Sequence, residues 1–330
     1  MATSGTYTFT ITRDEIIREA MLNIGKIGDT EVPTPTETND CARKLNMLVK
    51  QWMGRQDFAP GLKMWTRQRA DLFLSSTQYC YSLGPSGDQW AAGVTGVAGA
   101  NFAQSQLTAA TAASNATLTV GTANVSKFTV NDYVVVQLNS GDTFTSTVAS
   151  KGASTVVLNA VLPSAAASGN YVFNYTTKGQ RPLELQTIIL RDQNGSDTPV
   201  DMMTLQVYEA LPNKTQSSFI ADPAAVYYEA QLTNGKLYID CGGAQDVTKY
   251  LHVVYLRPVQ DFNAAADNPE YPQEWFDALC WGLSKRICPM FNAPWTQEME
   301  LNYQETLRIA QESNPETTQI YFMARAEDFG

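Results

Sequence analysis

The sequence predicts an α+β protein: a helical-bundle body with β-hairpins, carrying an inserted small all-β domain that is a barrel or a sandwich. Three observations predict it. From Val94 to Thr176 the only charged residues are Lys127, Asp132, Asp142 and Lys151, among mostly Ala, Ser, Thr, Val, Asn and Gly. On either side the chain is rich in Trp, Tyr, Leu and mixed charge. Both ends carry helical patterns, and a strand-rich stretch precedes the C-terminal pair. The expected divisions are 1–93, a helical hairpin and strands of the body, and 94–176, the inserted β domain. Residues 177–313 supply hairpins and helices that complete the body, and 314–330 form a C-terminal extension.

Residues 1–10 alternate polar and apolar, as an arm or edge strand would. Thr12 with Glu15 forms a capping box, in which each side chain satisfies a free backbone N–H at a helix start. Ile16, Ile17, Ala20, Met21 and Ile24 follow at helical spacing, and Gly25 is a natural stop. Thr34, Pro35 and Glu37 open a second helix in the same way, with Cys41, Leu45, Leu48, Val49 and Trp52 as its apolar stripe. A connection of about ten residues predicts an antiparallel pair.

Strand signals run from Met64 to Leu83, and Gly84-Pro85-Ser86-Gly87 is a turn. In the charge-poor region, Thr117–Val120, Tyr133–Leu138, Thr143–Val148, Thr155–Leu158 and Tyr171–Tyr175 read as short strands. The stretch Ala98–Ala116 reads as a long loop. Beyond it, Asn194-Gly195 and Asn234-Gly235 each stand between apolar runs, a hairpin signal because both residue types tolerate positive φ. Leu251–Leu256 adds a strand. Pro272 starts a helix carrying Trp275, Phe276, Leu279, Leu283 and Ile287, which Pro289 should stop. A last helix spans about Thr296 to Glu312 and is closed by Asn314-Pro315.

The formal charge of −10 argues against a conventional nucleic-acid binder, which needs clustered Lys and Arg to neutralise phosphates. No run approaches the ~18 apolar residues that cross a bilayer, and the N-terminus lacks signal-peptide order. Cytoplasmic synthesis and no membrane partner are expected. Cys41, Cys80, Cys241, Cys280 and Cys288 are odd in number and form no CxxC, which predicts free thiols.

Candidate chemistry is sparse. His252, the single histidine, alternates with apolar neighbours and reads as a satisfied strand residue. One His without a Cys pair offers no transition-metal set. The run Asp192–Asp197 lacks the Gly and Glu of a calcium loop. Acidic pairs Glu270/Glu274 and Glu298/Glu300 lie in first helical turns, where the helix dipole favours them. Arg67 and Arg69 beside Trp65 read as a solvated face, and Lys285 and Arg286 as cations at a helix C-terminus. No catalytic residue, metal or cofactor is expected. The expected partner-binding residues are Ile320, Tyr321, Phe322, Met323 and Phe329. They are large apolar groups in a segment too short to form its own core, so they dock on their own chain or on a neighbour.

Thr12-Arg-Asp-Glu-Ile-Ile-Arg-Glu-Ala20, Asn46-Met-Leu-Val-Lys-Gln-Trp52, Tyr255-Leu-Arg-Pro-Val-Gln-Asp-Phe262 and Tyr271-Pro-Gln-Glu-Trp-Phe-Asp-Ala-Leu279 carry a resemblance. Over roughly 12–75 and 179–322 the chain resembles the head-to-tail adaptors of short-tailed bacteriophages, the tail accessory or packaged-DNA-stabilisation family; segment 94–176 departs from its shorter members. The resemblance implies a homo-oligomeric ring of about twelve copies under the portal protein, closing the DNA-filled head and seating a tail or nozzle protein. It implies a place in the virion, a channel that DNA passes without specific binding, and a portal-facing segment after Pro315. Two other readings stand beside it. A tail-tube or nozzle component would have a β-dominated body, whereas four capped helices favour the adaptor. A receptor- or glycan-binding decoration would use the Ser/Thr/Asn-rich insert.

Overall fold

The computed structural model of the protein describes residues 5–54, 65–92 and 102–312. Among them lie six α-helices: α1 (Arg13–Asn23), α2 (Pro35–Gly54), α3 (Thr122–Val125), α4 (Leu205–Ala210), α5 (Phe276–Ile287) and α6 (Gln297–Glu312). The first nine strands are β1 (Arg67–Phe73), β2 (Cys80–Leu83), β3 (Trp90–Ala92), β4 (Ala103–Gln106), β5 (Thr117–Thr119), β6 (Tyr133–Gln137), β7 (Thr143–Lys151), β8 (Thr155–Leu158) and β9 (Tyr171–Tyr175). The rest are β10 (Glu184–Arg191), β11 (Asp197–Pro199), β12 (Asp201–Met202), β13 (Ile220–Ala221), β14 (Ala225–Glu229), β15 (Gly235–Ile239), β16 (Gly243–Ala244) and β17 (Tyr250–Leu256). Two compact units result, one of Met1–Thr66 with Val259–Gly330, the other of Arg67–Pro258.

The first unit is helical. Glu15 Oε2 accepts from the Thr12 N–H at 2.7 Å and its hydroxyl at 2.8 Å, so the α1 capping box forms. Thr34 and Glu37 repeat it on α2, with the carboxylate 3.0 Å from the Thr34 N–H. Gly25 leaves α1 at φ 68°, a left-handed turn that glycine enters without a Cβ penalty. Ile16, Ile17, Ala20 and Met21 are buried, as are Cys41, Leu45, Leu48, Val49 and Trp52 on α2 and Leu279, Leu283 and Ile287 on α5. Gly282 lets α5 approach α2: a Cβ there would meet Trp52 Cζ2 at 2.9 Å. Pro272 precedes a 3₁₀ turn, Gln273–Trp275, that leads into α5. Pro289 stands just beyond the end of α5 at Ile287, as expected of a residue that stops an α-helix. It sits at the start of a second 3₁₀ turn, Cys288–Phe291, where its missing N–H leaves no bond unmade.

The second unit is β. A five-stranded sheet runs β11-β10-β17-β1-β3 and a four-stranded one β12-β14-β15-β2. Central β17 pairs antiparallel with β1 and with β10. Ala70, Leu72, Ile188, Leu251 and Val253 share one core with Tyr81, Val226, Leu237 and Ile239. A six-stranded sheet, β4-β9-β6-β7-β8-β5, curls so far that the Thr108 N–H donates to the Thr119 carbonyl at 2.8 Å, linking its two ends. Leu118, Val134, Val136, Val156 and Val172 fill it.

The four charged residues of the charge-poor region each hold a loop. Lys127 Nζ donates to the Gln104 carbonyl at 2.8 Å and Lys151 Nζ to that of Phe128 at 2.5 Å. Asp132, buried, accepts from the Thr129 N–H at 2.6 Å and the Thr176 hydroxyl at 2.9 Å. Asp142 accepts from the Ser75 hydroxyl at 2.7 Å and the Ser76 N–H at 3.1 Å.

The helical-bundle body expected from the sequence is not what forms. Among the described residues the protein is mostly β, with helix over only 27% of them, several sheets and a half-barrel. The two hairpins expected at Asn194-Gly195 and Asn234-Gly235 form, as β10 with β11 and β14 with β15. But each joins a sheet with distant strands, β10 with β17 and β15 with β2, and these sheets build a core of their own. Two local expectations also change. The presumed loop Ala98–Ala116 contains β4 and a bridge from Thr111 to Ala166. At Asn194-Gly195 only Gly195 has positive φ, 84°, because Asp192 Oδ1 already holds the Asn194 and Ser196 N–H groups at 2.8 Å. Asn234-Gly235 uses no positive φ; glycine is needed there because the Tyr228 ring and hydroxyl occupy the place of a Cβ.

Candidate functional site

In the helical unit, polar groups of α1 and α2 hold the segment from Val259 to Asp267. Asn46 bonds Phe262 twice, accepting from its N–H at 2.9 Å and donating to its carbonyl at 3.0 Å. Lys50 Nζ donates to the Val259 carbonyl at 2.7 Å and pairs with Asp261 at 2.6 Å. The Arg13 N–H, in the first turn of α1, donates to the Asp267 carbonyl at 2.8 Å. An extended segment lacks partners for its backbone, and these side chains supply them. Beside the clasp, the rings of Trp52, Trp65, Tyr271 and Trp275 lie with centroids 5.2–6.4 Å apart, in tilted and edge-on pairs.

Two concavities accompany this clasp. A groove of about 600 Å³ is lined by Arg13, Arg43, Asn46, Met47, Lys50 and Phe262 among others. Each of its cations is already paired: Arg13 with Asp14 at 2.7 Å, Arg43 with Asp40 at 2.7 Å, Lys50 with Asp261. A pocket of about 330 Å³ between α2, α5 and α6 is lined by Leu48, Trp52, Gly282, Lys285, Arg286 and Tyr303, with Gln51. Lys285 bonds Glu300 at 2.7 Å and lies 4.6 Å over the Tyr303 ring. The Lys285 bond, then those from Trp295 Nε1 and Gln304, hold the Glu300 carboxyl down at about 2.

In the β unit, His252 Nδ1 lies 2.7 Å from Asp71 Oδ1, both buried, directly opposite across β17 and β1. The pair satisfies two polar groups inside a sheet. Burial pushes the Cys41 thiol up to about 11 and Cys280 to about 12, so neither presents a thiolate near neutral pH. Arg67 is exposed and bonds Gln186 at 2.7 Å; Arg69 is exposed. Glu270 accepts from the Gln260 N–H at 3.0 Å, and Glu300 is held as described, so both acids serve their own loops and helices. Among the described residues no group of three His, Cys, Asp or Glu is placed to hold a metal ion. No helix among them is long and apolar enough to cross a membrane.

The five expected partner-binding residues, Ile320, Tyr321, Phe322, Met323 and Phe329, lie outside the described residues. Sequence reasoning quoted Asn46 to Trp52 as a motif but assigned no role to Asn46 or Lys50. Their signal was present: an amide and an amine on the flank of an apolar helical stripe, where a backbone must be held. Arg286 was read with Lys285 as a helix-end cation, and the structure separates the two. No family model matches the chain, and no curated protein is similar to it.

Proposed function

We propose that the chain is a structural head-to-tail adaptor of a tailed phage, a ring component beneath the portal that closes the filled head and seats the tail. The observation that carries this reading is the convergence of the resemblance motifs. The Thr12–Ala20 helix, the Asn46–Trp52 face, the Val259–Phe262 half of the Tyr255–Phe262 motif and the Tyr271–Leu279 motif lie in one unit. There Asn46 and Lys50 bond that half, and Trp52 packs on Tyr271 and Trp275. Tyr255–Pro258 belongs to the other unit. Most of these motif residues thus take part in one packing arrangement, which supports a scaffold role. A net charge of −10 per copy supports the channel role. Repeated around a ring, it repels phosphates, and duplex slides past the wall instead of adhering.

A second reading, a tail-tube or nozzle component, gains from the β-dominated build of the protein. Co-sedimentation of the purified chain with portal rings separates the two. An adaptor is captured by portal, and removal of residues 316–330 abolishes the capture. A nozzle component sediments with portal only once an adaptor is added. Undiminished capture of the truncated chain would refute the assignment of the C-terminal segment as the portal contact.

A further inference from the structure

The pocket between α2, α5 and α6 contains a cation without an anion. Arg286 is half-buried and, among the described residues, makes no hydrogen bond or ion pair. Its neighbour Lys285 is already held by Glu300 and Tyr303. A guanidinium carries five donors in a planar fork, and shielding it from water without a partner is costly, so the site favours a carboxylate. The walls favour something else. Leu48, the Trp52 edge and Tyr303 surround the bare backbone of Gly282, a lining suited to an aromatic or aliphatic side chain. The Arg13 groove makes no such demand, since each of its cations has its own acid.

The chain's own sequence holds the complementary element. Beyond the end of α6 at Glu312 it reads Glu327-Asp328-Phe329, two carboxylates beside an aromatic ring. The intervening residues, 313–326, extend to at most about 50 Å at ~3.5 Å per residue, enough to reach the pocket of the same copy or of an adjacent one. We propose that Glu327-Asp328-Phe329 docks in this pocket, with the Phe329 ring against Trp52 and Leu48 and the Asp328 carboxylate on Arg286. The inference does not rest on the adaptor reading, and it leaves residues 316–326 of the C-terminal segment for the portal contact.

The test uses the full chain carrying D328A and F329A, which disarms its own segment, and a fluorescein-labelled peptide of residues 319–330. Saturable binding by anisotropy is expected. R286Q should weaken it at least tenfold, while R286K keeps most of it. The unaltered chain should bind the same peptide several-fold more weakly, its pocket being already filled. A peptide with Glu327 and Asp328 changed to Arg should bind R286E better than it binds Arg286, which separates a lost contact from a lost fold. Equal binding by R286Q and Arg286 chains, no binding by the disarmed chain, or no recovery on charge reversal would overturn the inference.

Discussion

The helical unit and the β unit are held by different kinds of interaction. In the first, α1 and α2 begin at capping boxes four residues long, and side chains of both helices then clasp an extended segment through its backbone. In the second, consecutive strands pair as hairpins, but the central strands find their partners far along the chain. β1 completes its ladder with a strand whose His252 stands 181 residues from Asp71. The contrast separates two jobs. Local signals fix where a helix starts, whereas distant pairings decide which part of the chain is the body.

That contrast can be broken or sharpened by substitution. Trp275 is fully buried among three other rings, and Trp275→Ala should cost about 3–5 kcal/mol by lost burial and a cavity. Hydrogen exchange should then speed up in α1, α2 and α5 and stay slow in β1, β10 and β17; uniform loss would erase the distinction between units. Phe73, stacked on Phe173 at 4.9 Å, should give the mirror image when changed to Ala. Next in size, Asp71→Ala leaves His252 buried beside an empty place and should cost about 1–3 kcal/mol in chemical denaturation. Asn46→Ala removes both bonds to Phe262 and should cost a similar ~1–3 kcal/mol, read as faster exchange at Phe262.

The smallest effect concerns acid. Glu300 has its pKa lowered from 4.5 to about 2 by its bond to Lys285 and by Trp295 and Gln304. A lowered carboxyl contributes stability that is complete above 4.5 and is lost as pH falls toward 2. The pair is partly solvated, so its worth is under about 1 kcal/mol. Glu300→Gln should flatten the stability profile between those pH values, and an unchanged acid limb would show that the bond contributes nothing.

The helices of the first unit could be read almost residue by residue, because Thr12/Glu15, Thr34/Glu37 and the apolar stripes act within a few residues. Most strands could be placed as well, down to Thr155–Leu158. Their partners could not. The alternation in Arg67–Phe73 and Tyr250–Leu256 is the same whether each forms a hairpin or joins the other, and only burial in a common core decides. Hence the body was assigned to the wrong class. The clasp was half visible, as a motif without a role. The unpaired state of Arg286 was invisible, since it depends on Glu300, fifteen residues beyond Lys285, choosing Lys285.

Electron microscopy of portal rings incubated with the purified chain tests the central claim most directly. A closed collar of repeating copies on one face of the ring, with an open central channel, is the expected image. Bare portal rings beside unassembled chain, at concentrations that saturate the sites, would contradict it.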